Sequence, residues 1–307
     1  MTFTFRPAGF IPYRDTEVLN RVRTLTGEDY LRHDTLKIHV LPDHLMGPRF
    51  VADMVGEIVR ARDEGRRCVI ITPNPNPAYR EVAMVLNAMR VDCKHVVTFN
   101  MDEWANEDGE IADESYPQSF IAATKRFWLS ELAADLRPLE ENLMHPTTDN
   151  IGHYSDLIAE AGGADVVYSG PGWTGHLAFI EPDVPEWSKD LEEFLTQGAR
   201  ITTLNPLTIA QNSLHASFGA SGDIAAVPPK AATIGPLDVA RAKRRVETHG
   251  ITTRGTFVTW QRLVSRLVLH GPVTPQVPSS IIQRLGAEVY VSETLAAPVE
   301  SDFEIQY

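Results

Sequence analysis

Two short segments of this 307-residue chain carry side chains suited to proton chemistry on a small molecule. The first is Thr98-Phe99-Asn100-Met101-Asp102-Glu103-Trp104, where two adjacent carboxylates follow an apolar run. Adjacent residues on a turn point in different directions, so at most one of the pair faces a pocket. Spacing alone allows a capping acid beside a solvated one. It equally allows a strand-end carboxylate, walled by Phe99 and Trp104, whose pKa rises with burial until it can serve as a general base.

The second segment is Gly170-Pro171-Gly172-Trp173-Thr174-Gly175-His176-Leu177-Ala178-Phe179-Ile180-Glu181-Pro182. Its first six residues match G-x-G-x-x-G, the dinucleotide fingerprint. That fingerprint needs a helix opening within the glycines and a second strand ending in an acid about 20 residues on. Pro182 and Pro185 interrupt here, and no strand is expected before Arg200. The glycines point instead to backbone that approaches a ligand closely, with His176 and Glu181 projecting nearby. A lone histidine is more often structural; its place in a Gly-rich strand end favours chemistry, because imidazole titrates near neutrality.

These segments need a frame. Short β-branched or apolar runs at 37–41, 68–72, 95–99, 165–169, 200–204, 231–234 and 287–291 read as strands. Stretches 50–60, 79–89, 119–132, 151–161, 207–218 and 258–269 read as helices by their i, i+3, i+4 apolar spacing. The alternation predicts an α/β domain with a sheet covered on both faces, whose ligands bind at the carboxyl ends of the strands. Residues 1–34 read as an N-terminal extension, 35–298 as the domain and 299–307 as a tail. Residues 182–193 read as a surface lid, with Trp187 and Phe194 available to cover a ligand or to pack down.

Composition narrows the partners. There are 28 Lys plus Arg against 41 Asp plus Glu, a net charge of −13, which disfavours nucleic acid and anionic membranes. Any anionic ligand needs a local basic pocket. Cys68 and Cys93 form no C-x-x-C pair and no metal-spaced cluster. No stretch of 18 consecutive apolar residues occurs, so the expected setting is reduced and cytoplasmic, and homo-oligomerisation is left open.

The residues also carry a resemblance. Lys94-His95-Val96-Val97-Thr98-Phe99-Asn100-Met101-Asp102-Glu103 with Ser115-Tyr116 resembles one signature of the glucosamine-6-phosphate deaminases (isomerases), and 172–182 resembles their second. The likeness continues through Arg200-Ile201-Thr202-Thr203-Leu204, Gln211-Asn212-Ser213, Val227-Pro228 and Gly271-Pro272-Val273-Thr274, over about residues 36–297. It implies a three-layer α/β/α, modified Rossmann-like domain with a mostly parallel sheet, and no metal or nucleotide cofactor. By resemblance, Asp102 moves a proton between C2 and C1 of an amino sugar, His176 opens the sugar ring and Glu181 orients it. The small-molecule sugar would be met by Asn74, Asn76, Gly172, Thr174, Gly175, Arg200 and Lys230.

Departures from the family pattern cluster at the phosphate end. Thr174 stands where the family has an aspartate, and Ile180 where it has an asparagine. The family's Gly-Gly-Thr phosphate loop is Thr72-Pro73-Asn74-Pro75-Asn76-Pro77 here, and proline has no N–H to donate. Leu214 and Pro229 replace a phosphate-binding arginine and lysine, leaving Lys230 displaced by one position. Charge-assisted hydrogen bonds contribute roughly 1.5 to 3 kcal/mol each, so losing two weakens a phosphorylated ligand by about two to four decades. The basic run 241–245 reads as a solvated helix face. The expected function is amino-sugar isomerisation with or without deamination, on a sugar less anionic than the family's usual substrate. Two alternatives stay open: a lactone hydrolase of the related 6-phosphogluconolactonase type, and a non-catalytic sugar-binding homologue.

Overall fold

The computed structural model describes residues 5–74, 77–250 and 261–299. Among the described residues ten strands form: β1 (Leu36–Leu41), β2 (Cys68–Thr72), β3 (Val96–Asn100), β4 (Asp102–Ala105), β5 (Leu143–Met144), β6 (Val166–Ser169), β7 (Arg200–Thr203), β8 (Lys230–Thr233), β9 (Arg244–His249) and β10 (Ala287–Ser292). Seven make one sheet in the order β1-β10-β9-β6-β2-β3-β5, with every pairing parallel. The other three make a small antiparallel sheet, β4-β8-β7.

The local sequence explains the central strands. Every residue of β2, β3 and β6 is buried, and parallel strands covered on both faces require such near-continuous apolar runs. Helices Met46–Asp63 and Ala78–Ala88 turn Met54, Ile58, Tyr79, Val82 and Leu86 onto one face of the sheet, against Cys68, Ile70 and Val96. The other face buries Val69, Ile71, Phe99 and Val167 against Tyr154, Ile158, Val239 and Val268. This is the expected three-layer α/β/α arrangement, and it brings the carboxyl ends of β2, β3, β6 and β9 to one edge.

Boundaries shift where helices tighten. The expected helix at 119–132 ends at Phe127 before a 3-10 turn at Leu129–Glu131, and 207–218 divides into Pro206–Ser213 and a 3-10 turn at Ala216–Phe218. The helix expected at 258–269 is Gln261–His270; its first three expected residues lie outside the described ones. The N-terminal extension wraps the core: Val22 and Tyr30 are buried, and the Tyr30 hydroxyl meets Ser265 Oγ at 2.9 Å. Trp187 of the 182–193 segment and Phe194 just after it pack down edge to face, with ring centroids 6.1 Å apart.

One expectation is corrected. The basic run 241–245 is no solvated helix face: Arg241 ends the helix Pro236–Arg241, and Arg244 opens β9 between β10 and β6. Arg244 pairs with Asp53, Lys243 with Asp165 at 2.8 Å, and Arg245 donates to the carbonyls of Gly286 and Ala242. The run fastens helices to the sheet because an arginine stem can cover apolar surface while its head meets acceptors. Among the described residues, no helix is long and apolar enough to cross a membrane.

Candidate active site

β3 stops at Asn100, and after Met101 the chain re-enters a strand at Asp102, which lies opposite Thr233 of β8. The Asp102–Glu103 pair divides its duties. Glu103 accepts the N–H groups of Phe120 at 2.9 Å, Ile121 at 2.9 Å and Trp104 at 3.0 Å, so it caps the helix Phe120–Phe127. Burial lifts its pKa to about 7 against the lowering effect of those three donors. Asp102 is not the solvated partner that capping alone would allow: it is 2% exposed. Burial, and next the charge of Glu103, push its pKa well above the ordinary carboxylate range.

His176 sits on a loop that only glycine permits. A Cβ at residue 172 would overlap the imidazole at Nε2 and Cε1. Gly175 has φ +77°, and a side chain there would also press on Val277 Cγ1 at 2.8 Å. The loop is fastened by Ser279, whose N–H donates to the Gly175 carbonyl at 2.8 Å and whose hydroxyl donates to the His176 carbonyl at 2.9 Å.

Thr174 stands between the imidazole and Glu181. Its hydroxyl donates to Glu181 Oε2 at 3.0 Å and lies 2.9 Å from His176 Nδ1. A hydroxyl has one proton to give, so with that proton on the carboxylate it accepts from Nδ1–H. The direct Nδ1 to Oε2 separation is 3.6 Å, and the threonine therefore carries the link. The chain Nδ1–H to Thr174 to Glu181 sets the tautomer that leaves Nε2 with its lone pair. Thr208 Oγ1 also reaches Nδ1, at 3.1 Å.

Thr233 joins the two sequence segments. Its backbone is in register with Asp102, and its hydroxyl accepts the N–H of Phe179 at 3.1 Å. Behind this junction Trp104 packs on Phe120, Phe179 and Phe218, forming an apolar wall.

No family model matches the chain. Among curated proteins it is 29% identical over 266 residues to a glucosamine-6-phosphate deaminase of Rhodopirellula baltica, covering 86% of this chain and 96% of that protein. It is 26% identical over 252 residues to glucosamine-6-phosphate deaminase 2 of Bacillus subtilis, covering 80% and 90%. Among solved structures, a monomeric glucosamine-6-phosphate deaminase of the NagB superfamily superposes with TM-score 0.67 at 17% identity, over 86% of this chain and 99% of that one. Over most of its length the chain is thus similar to glucosamine-6-phosphate deaminases, and it shares their fold. The 6-phosphogluconolactonase fold is close as well: the enzyme from Leishmania guyanensis gives TM-score 0.60 at 14% identity, over 87% and 100%.

The two cations expected from sequence to meet the sugar, Arg200 and Lys230, are engaged within the protein. Arg200 donates to the carbonyls of Glu186 at 2.8 Å and Gly198 at 3.1 Å, with its guanidinium 4.6 Å over the Trp187 ring. It holds the 182–193 segment against β7. Lys230 donates to the Glu107 carbonyl at 2.8 Å. It lies at the far end of β8 from Thr233, about 10 Å away along the strand. Asn74 follows β2 at the same sheet edge as Asn100, with its Oδ1 buried. Asn76 and Pro75 lie outside the described residues.

Sequence reasoning missed several side chains that surround the deaminase-like centre. Thr208 touches His176, and Gln211 Oε1 accepts from the Trp173 N–H at 2.7 Å. His215 lies close enough that the charge of His176, after burial, lowers its pKa to about 4. The available signal was a helix whose buried positions are polar, which a search for apolar periodicity passes over.

Proposed function

We propose that this protein is a cofactor-independent isomerase of amino sugars that converts an amino aldose to a ketose with release of ammonia. The observation that supports it most is that Thr233 lies opposite the buried Asp102 and also holds, through the Phe179 N–H, the segment that carries the carboxylate-linked imidazole of His176. Aldose–ketose conversion needs a base that can take a proton from C2 and return it to C1, and ring opening needs a group that exchanges a proton with the ring oxygens.

In this reading His176 Nε2 takes the proton of the anomeric hydroxyl and delivers it to the ring oxygen, while the relay through Thr174 to Glu181 stabilises the transient imidazolium. Asp102, as carboxylate, removes the C2 proton from the open-chain sugar and leaves an enolamine. Asp102, once its proton has exchanged with solvent, protonates C1 and gives an imine at C2. Addition of water there expels ammonia and completes the ketose. The raised pKa of Asp102 makes it a stronger base than an exposed carboxylate, at the cost of needing a higher pH to ionise.

An assay for ammonia and ketose with a panel of amino sugars, run beside a sugar-lactone hydrolysis assay, tests the assignment. Stoichiometric ammonia and ketose with no lactone hydrolysis is the expected result. Lactone hydrolysis without ammonia would move the protein to the 6-phosphogluconolactonase side of its superfamily. Lactone opening calls for no carbon base, so Asp102 favours the isomerase.

A further inference from the structure

Thr208, Gln211, Asn212 and His215 follow one another at i, i+3, i+4 and i+7 along the helix Pro206–Ser213 and just beyond its C-cap Leu214. That spacing forms one stripe, and a stripe turned to the interior is ordinarily apolar. Here Thr208, Gln211 and Asn212 are 0%, 5% and 2% exposed. The contacts of Thr208 with His176 and of Gln211 with Trp173 show that the stripe faces the His176 loop.

Two atoms on the stripe are buried without a hydrogen-bond partner among the described residues, Asn212 Oδ1 and His215 Nε2. The Asn212 amide is oriented by donation from Nδ2 to the Thr208 carbonyl at 2.9 Å, which leaves Oδ1 as its free end. Asn74 Oδ1 after β2 and Glu181 Oε1 are buried and unpartnered in the same way. Unsatisfied buried polar atoms are costly, and several around one site mark where a ligand's complementary groups belong. Asn100 Nδ2 at the end of β3 is a buried donor without a partner among the described residues, but Asn212 Oδ1, Asn74 Oδ1 and Glu181 Oε1 are acceptors. They call for hydroxyl or amino donors, whereas a phosphate dianion brings only acceptors and negative charge. A neutral imidazole at His215 can serve a hydroxyl as donor or acceptor but cannot hold an anion by charge.

We infer that Asn212 and His215 read hydroxyl groups of the sugar and make the site selective for an amino sugar without a phosphate. For the reaction itself this rests on the amino-sugar assignment above; for recognition it stands on the stripe.

The test is calorimetry with the full chain carrying Asp102→Asn, titrated with glucosamine and with glucosamine 6-phosphate, alone and with His215→Phe, His215→Gln or Asn212→Ala added. Ammonia release from both sugars is measured on the same changes with Asp102 intact. Glucosamine should bind at least about tenfold more tightly than its 6-phosphate. His215→Phe and Asn212→Ala should each weaken glucosamine binding and raise KM about tenfold with kcat within about threefold. His215→Gln, which keeps a neutral hydrogen-bonding head, should recover most of the loss. Tighter binding of the 6-phosphate, no binding of either sugar, or glucosamine affinity unchanged by both His215→Phe and Asn212→Ala overturns the inference. If glucosamine binds, His215→Phe weakens it and neither sugar releases ammonia, the recognition stands and the amino-sugar reaction is what fails.

Discussion

Thr174 occupies the position where a charged partner for the imidazole would be expected, and its hydroxyl instead passes the influence of Glu181 to His176 Nδ1. A carboxylate acting through a hydroxyl keeps the imidazole oriented without adding a second buried charge, which in a dry site is expensive. Thr174→Val preserves shape but removes both hydrogen bonds, leaving Glu181 Oε2 without that donor. We expect kcat to fall about 100-fold, the lower end of what general acid–base catalysis contributes. Thr174→Ser should stay within a few-fold. Equal losses in the two variants, with folding verified by circular dichroism, would show that the hydroxyl does not relay. Asp102, His176 and Glu181 were legible as candidates because strand-end carboxylates and a histidine among glycines stand out in a sequence. The division of labour between Asp102 and Glu103 was not, because the N–H groups that claim Glu103 belong to Phe120 and Ile121 and only the fold brings them together.

At the scale of elements, the site depends on a loop moulded to the ring it carries. Gly172→Ala puts a methyl group where the His176 imidazole lies. The ring must turn away from the Thr174–Glu181 relay, so turnover should drop at least about 100-fold while thermal unfolding stays cooperative, because misplacement by about 1 Å costs that much in rate. Retained activity would mean that the ring is held less tightly than its contacts show. Most strands were readable to within a residue because both-face burial demands continuous apolar runs. β9 was not, because its first residues are Arg244 and Arg245 and it also carries the buried Glu247 and His249, whose partners Ser169 and Ser265 come from another strand and a helix. The polar stripe of Pro206–Ser213 escaped for a related reason: its amphipathicity is inverted.

Across the whole molecule, the net charge of −13 coexists with buried acids that resist ionisation. Glu247 is 0% exposed; Ser169 donates to its Oε1 at 2.6 Å, and burial raises its pKa to about 7 from an ordinary 4.5. The folded state thus binds more protons than the unfolded one between about pH 4.5 and 7, and this residue lowers stability as pH rises through that window. Beside it, burial lowers His249 to about 3, which raises stability with pH between about 3 and 6.5 and opposes the trend. Glu247→Gln keeps the acceptor for Ser169 and removes the titration. It should stabilise the protein by about 1 to 3 kcal/mol at pH 7.5 and by little at pH 4.5, read from denaturant unfolding at the two values. A uniform destabilisation at both would contradict the assignment. The molecule is arranged so that such strand-end groups meet at one edge of the sheet, and the central claim is that one of them, Asp102, moves a proton between adjacent sugar carbons. The most direct measurement is NMR detection of solvent deuterium entering C2 and C1 of an amino sugar that the protein turns over, in wild type and Asp102→Asn. Incorporation is expected with the wild type, and a loss of at least about 1,000-fold in the variant with its fold intact. Incorporation that persists unchanged in Asp102→Asn would contradict the claim.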